Sequence, residues 1–113
     1  MSDCIFCRII EGELPCLKVY ENQEILAFRD ITPVAPVHIL VVPKAHIEDL
    51  SAITTHNSEI VAAVYEAVAN IVRKEPLENG YRVISNVGAF AGQTVKHLHF
   101  HIIGGVPLGK MCD

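Results

Sequence analysis

Between residues 57 and 75 apolar side chains recur at Ile60, Val61, Val64, Tyr65, Val68, Ile71 and Val72, a three- and four-residue rhythm that predicts one long amphipathic helix. Pro76 supplies its stop. Residues 4–10 carry the same rhythm on a smaller scale, with Ile5, Phe6, Ile9 and Ile10 at helical spacing and Glu11-Gly12 ahead of Leu14-Pro15 as the terminator, which predicts a short helix. Elsewhere the pattern is that of strands. Residues 18–21 and 25–29 flank Asn22-Gln23-Glu24, a polar link of hairpin length, so that pair should be antiparallel. After Pro33 and Pro36, His38-Ile39-Leu40-Val41-Val42-Pro43 is too apolar for an exposed strand and predicts a central one closed by proline. Asn79-Gly80 turns the chain into a strand at 81–85, and a loop with Gly88, Gly92 and Gln93-Thr94 leads into the last strand, 97–103. The sum is an α+β fold: an antiparallel meander of about five strands with one long and one or two short helices, only one of them long enough for a crossover.

Composition narrows this picture. At 113 residues, half of them hydrophobic and 19% charged, the chain suits one domain spanning 1–113 with a real core. A net charge of −4 argues against the clustered Lys and Arg that nucleic-acid binding requires, so any phosphate must be gripped locally. The first eight residues, with Asp3 early and no unbroken apolar run, show neither a signal peptide nor a membrane span. A cytoplasmic protein is expected. There Cys4, Cys7, Cys16 and Cys112 read as thiols or metal ligands rather than a disulfide framework.

Three of the six histidines fall within residues 97–101, as His97, His99 and His101. Strand alternation puts these on one face and Leu98, Phe100 and Ile102 on the other, which belongs to the core. At a rise of about 3.3 Å per residue, neighbouring imidazoles would sit roughly 7 Å apart and the outer two roughly 13 Å, too far for one metal ion on a straight strand. Solvent-facing polar residues are one reading. The other is chemistry near neutral pH by imidazole as nucleophile or acid/base, with the central His99, kept neutral by its neighbours, as the nucleophile.

The stretch His97-Leu98-His99-Phe100-His101-Ile102-Ile103 resembles the signature of the histidine triad (HIT) superfamily, and the likeness runs along the chain. CIFCRII near the start, AFRDITPVAPVHILVVPKAHI at 27–47 and NVGAFAGQTVKHLHFHIIGG at 86–105 resemble the successive blocks of its Hint branch of purine nucleoside phosphoramidases. The resemblance implies a HIT-like fold and hydrolysis of purine nucleoside 5′-phosphoramidates and acyl-adenylates to AMP or GMP. It implies that His99 attacks the α-phosphorus and forms a nucleotidyl-histidine, splitting one hard displacement into two easier ones. His101 would contact the phosphate, His38 would support the triad and His97 would orient it.

The glycine-bearing segment 86–94 has backbone N–H groups, an amide and a hydroxyl suited to an anion, or is an ordinary connector. The resemblance assigns the α-phosphate to Asn86, Gly92, Thr94 and the N–H of Val95, with the Thr94 hydroxyl helping to protonate the departing amine. Asp30 is a turn former by position and, by resemblance, the acceptor for ribose hydroxyls. Phe6, Ile9, Phe28, Ile31 and Leu40 match the family's purine pocket and otherwise read as core.

Cys4 and Cys7 lack the βαβ setting of a redox motif. With His46 and His97 they could complete a Cys2His2 zinc site pinning the first helix to the sheet, as in many microbial members of the family. A metal-bound His97 keeps only a positioning role. Cys16 and Cys112 have no evident partner in the sequence. A dinucleoside polyphosphate hydrolase and a non-catalytic nucleotide-binding or scaffold protein remain alternatives; the nucleotidylyltransferase branch resembles HxHxQ, and position 101 is histidine here. The resemblance also implies a homodimer through the long helix and the 81–85 strand. The tail, 106–113, lacks the Trp-Pro-Pro ending of relatives, which bears on leaving-group preference.

Overall fold

The computed structural model describes residues 3–112; Met1, Ser2 and Asp113 lie outside the described residues, so the N-terminal reading and the tail are followed only within that range. Five strands, β1 (Lys18–Glu21), β2 (Ile25–Arg29), β3 (Val37–Pro43), β4 (Tyr81–Ile84) and β5 (Phe100–Gly104), form one sheet in the order β1-β2-β3-β5-β4, with every neighbouring pair antiparallel. The β1–β2 turn is set by Asn22, whose Oδ1 accepts from the Glu24 and Ile25 N–H groups at 2.9 Å.

The sheet is not the simple meander its strand pattern suggests. β5 lies between β3 and β4, so β3 and β4 run parallel and α2 (Glu59–Val72) bridges them in a split crossover. Sequence proximity favours pairing neighbours, but the long helix consumes the span between β3 and β4 and must lie over one sheet face. It buries Val64, Ala67, Val68 and Ile71 against Ile25, Ala27, Val37, Ile39, Val41, Phe100 and Ile102.

The six-residue helix α1 (Ile5–Ile10) covers part of the opposite face, where Phe6 packs with Leu26, Phe28, Leu40 and Val42. With helices on both sides, all of β3 is buried, which explains its continuous apolar run. Arg29, at the end of β2, holds Glu75 beyond α2 through two hydrogen bonds of 3.0 Å, a fork geometry that fixes the helix end to the sheet. Two short 3-10 turns, Leu50–Ala52 and Ala89–Ala91, interrupt the loops. Among the described residues no helix is long and apolar enough to cross a membrane.

Candidate active site and metal centre

Alternation along β3 and β5 delivers the chemistry to one face. Val37, Ile39 and Val41 turn toward α2, which leaves His38 and Leu40 on the α1 side; Leu40 is the direct neighbour of His101 across the strands. β5 begins at Phe100, three residues later than expected, yet the alternation persists upstream: Leu98 joins the core under α2, while Phe6 of α1 meets His97 and His99 edge-on at ring separations of 5.9 and 5.0 Å. The histidine face is therefore not solvent-facing. His97 is 0% and His99 6% exposed, and His101 is half-buried, because α1 lies over this part of the sheet. The His99 and His101 rings tilt to within 5.1 Å, closer than a straight strand would set them.

Hydrogen bonds to main-chain groups fix which nitrogen of each ring carries the proton. The His97 carbonyl can only accept, so His99 Nδ1, 2.6 Å from it, bears the hydrogen and Nε2 keeps its lone pair. The Val34 N–H can only donate, so His38 Nδ1, 3.1 Å away, is the acceptor and its Nε2 carries the hydrogen. That Nε2–H donates to His101 Nδ1 at 2.9 Å, which leaves the His101 hydrogen on Nε2. Burial first, and then the neighbouring His99 and His38, push His101 down to about 4, with Asp30 opposing in part. His101 is thus an uncharged donor beside a ring with a free lone pair.

These rings border a cavity of about 520 Å³, within the usual range for small-molecule sites. Its wall brings together most of the residues singled out from the sequence: Phe6, Ile9, Phe28, Asp30, Ile31, Leu40, Thr94, Val95, His99 and His101. Asn86, Gly92 and His38 are not on that wall, and Ile31 stands 91% exposed at its mouth. Asp30 combines both readings: Oδ1 closes a turn by accepting from the Thr32 N–H at 2.8 Å, and Oδ2 stands 3.4 Å from His38 Nε2. Residues the sequence reading passed over, among them Cys16, Leu14 and Thr32, complete the wall. Cys16 carried no signal because an apolar stretch beside a turn looks the same on a core or a pocket. Gln93 shapes the Thr94 side, accepting from the Gly88 N–H at 2.9 Å and donating to the Glu48 and Val95 carbonyls.

Two groups of potential metal ligands occur among the described residues, and they differ in kind. Donor atoms of Cys4, Cys7, His46 and His97 lie within 4.8 Å of one another, with Cys4 Sγ–His97 Nδ1 and Cys7 Sγ–His46 Nδ1 at 3.3 Å and the two Nδ1 atoms 3.2 Å apart. Ligands about 2.0–2.3 Å from a tetrahedral zinc stand roughly 3.3–3.8 Å from each other, so this spacing fits. His97 Nε2 donates to the Pro43 carbonyl at 2.8 Å, which turns the Nδ1 lone pair toward the sulfurs. Burial is the main cause that keeps His97 below its ordinary pKa, another condition for a ligand. Asp30, His38 and His101 are equally close together, but the Val34 N–H occupies His38 Nδ1 and leaves a hydrogen, not a lone pair, on Nε2. That trio is a proton-positioning chain.

A family profile described as HIT domain matches residues 11–108. An uncharacterized HIT-like protein of Helicobacter pylori is 46% identical over 102 residues, covering 89% of this chain and 95% of that one. Protein HitA of Neisseria gonorrhoeae is 38% identical over 104 residues, covering 92% and 97%. Among solved structures, a HIT family hydrolase from Clostridium thermocellum superposes with a TM-score of 0.95 at 42% identity, covering 98% and 97% of the two chains. A histidine triad protein from Clostridium difficile gives 0.94 at 46% identity, with the same coverage.

Proposed function

Since the chain belongs to the HIT family, we propose that it is a hydrolase of purine nucleoside 5′-phosphoramidates and related acyl-adenylates, with His99 as nucleophile. The observation that carries this reading is the 2.6 Å bond from His99 Nδ1–H to the His97 carbonyl, which bares Nε2 on a ring that lines the cavity. Nε2 attacks the α-phosphorus, the bond to the leaving amine breaks, and the amine takes up a proton through the Thr94 hydroxyl; water then attacks phosphorus and returns a proton by the same route, the P–Nε2 bond breaks, and nucleoside monophosphate leaves. Imidazole serves because it is both a good nucleophile and a good leaving group. His101, neutral and carrying its hydrogen on Nε2, donates to a phosphate oxygen, and His38 holds it in that tautomer. Thr94 and the Val95 N–H face the same phosphate, with Asn86 and Gly92 shaping the segment behind them. Fixed donors of this kind stabilise charge as it develops, without reorganising at the moment of reaction. Phe6, Ile9, Phe28, Ile31 and Leu40 receive the purine, and Asp30 accepts from the ribose hydroxyls.

Zinc, held by Cys4, Cys7, His46 and His97, would fasten α1 to the sheet as a structural ion. A second copy of this chain would dock along the β4 edge and α2, where Tyr81 and Tyr65 remain 45% and 55% exposed. Reduced thiols and a nucleotide substrate suit a cytoplasmic setting.

Release of ammonia from adenosine 5′-phosphoramidate tests the reading. Wild type should turn the compound over, and His99→Ala should lose about 10³-fold or more in kcat/KM, the scale of removing a nucleophile. Equal rates, or a nucleotide trapped on another side chain, would defeat it.

A further inference from the structure

The metal centre and the cavity share parts. Phe6 sits between Cys4 and Cys7 in the sequence, on the first turn of α1, and the Cys4 Sγ caps that helix by accepting from the Cys7 N–H at 3.3 Å. The Phe6 ring is a wall of the cavity and touches Phe28, His97 and His99 edge-on, at 5.7, 5.9 and 5.0 Å. His97 is shared differently: Nδ1 belongs to the ligand group, Nε2 is tied to the Pro43 carbonyl, and its own carbonyl receives the hydrogen of His99 Nδ1. Whatever fixes Cys4, Cys7 and His97 therefore fixes a cavity wall and the orientation of His99.

We propose that metal occupancy of the Cys4, Cys7, His46 and His97 group and nucleotide occupancy of the cavity are thermodynamically coupled through Phe6 and the His97 main chain; this rests on the nucleotide reading above. A six-residue helix has no stability of its own and depends on what anchors it. Without a cation, weak thiol–imidazole hydrogen bonds, Cys4 Sγ to His97 Nδ1 and Cys7 Sγ to His46 Nδ1 at 3.3 Å, stand in for metal bonds between α1 and the sheet, so α1 is held less firmly and Phe6 drifts off the base site. Bound nucleotide presses Phe6 back toward His97 and restores the ligand spacing. By linkage the two effects are equal: the factor by which metal tightens nucleotide is the factor by which nucleotide tightens metal.

The experiment is calorimetric titration of AMP into zinc-loaded protein and into protein stripped with a chelator, with far-UV circular dichroism reporting that the stripped chain is folded. AMP should bind the stripped protein about fivefold more weakly or worse, the lower bound of ordinary coupling, and competition with a chromogenic chelator should show zinc held more tightly by the same factor when AMP is saturating. AMP constants within twofold of each other in the two folded forms overturn the proposal while leaving the nucleotide reading intact. If the stripped chain is unfolded, cobalt-loaded protein decides: AMP should shift the visible bands of the Cys2His2 centre in wild type and leave them in place in Phe6→Leu. Bands indifferent to bound AMP in wild type overturn the proposal. Failure of AMP to bind even the loaded protein removes the nucleotide reading, and the coupling with it.

Discussion

His101 should stay uncharged far below the pH at which a histidine ordinarily titrates. Its pKa of about 4, against 6.5 for the free side chain, follows from burial and from the flanking His99 and His38 rings. The perturbation is acidification. In the unfolded chain the imidazole takes up a proton near 6.5, and in the folded protein only near 4. Between those values the unfolded state binds more protons, so stability rises with pH. The contribution is complete above pH 6.5 and is lost as pH falls toward 4. At about 1.4 kcal/mol per pH unit the loss attributable to this ring is about 3 kcal/mol. Denaturant unfolding of wild type and His101→Gln between pH 7 and pH 4 isolates it: the stability of wild type should fall by about 3 kcal/mol more than that of the variant. Nitrogen-15 spectra of the ring should show the Nε2–H tautomer throughout pH 5–7. A His101 that titrates above pH 6, or carries its hydrogen on Nδ1, would refute the chain of bonds from Val34 through His38.

On the proposed zinc site, Cys7→Ala removes one of the four ligands, so metal analysis should give one zinc per wild-type chain and close to none in the variant, and calorimetry should show a Tm lower by about 10 °C or more, the equivalent of at least about 2 kcal/mol in a domain of this size. Gly104→Ala would place a Cβ 2.5 Å from Leu77 Cδ2 and 3.2 Å from the Gly80 carbonyl; overpacking of this kind costs about 1–3 kcal/mol, which denaturant unfolding should register. Asp30→Asn can keep the turn at Thr32 but loses a charged acceptor, so AMP should bind about tenfold more weakly, while Tm stays within about 2 °C on the same scale.

Much of this was legible because side-chain periodicity is a local property. The rhythm of Ile60 to Val72 predicts α2, observed over Glu59–Val72, and the alternation from His97 to Ile102 sorts the histidines from the core side chains even where no strand forms. What periodicity cannot carry is who lies across from whom. The position of β5 between β3 and β4 depends on how α2 packs, and the burial of His99 depends on Phe6 of α1, at the far end of the chain. The atoms that settle the tautomers, the Val34 N–H and the Pro43 and His97 carbonyls, are main-chain groups, on which residue identity is silent. Family resemblance supplied the Cys4, Cys7, His46 and His97 group where spacing alone did not.

The placement of β5 has a consequence for biosynthesis. The strand at the middle of this half of the sheet is translated after both of its neighbours, β3 and β4. A ribosome-bound chain that has already made α2 still lacks the piece between β3 and β4, and His99, the proposed nucleophile, is made immediately before that piece. On the proposed function, completion of the histidine site therefore arrives together with closure of the sheet, and a nascent chain interrupted before His97 holds the β3 and β4 edges unjoined.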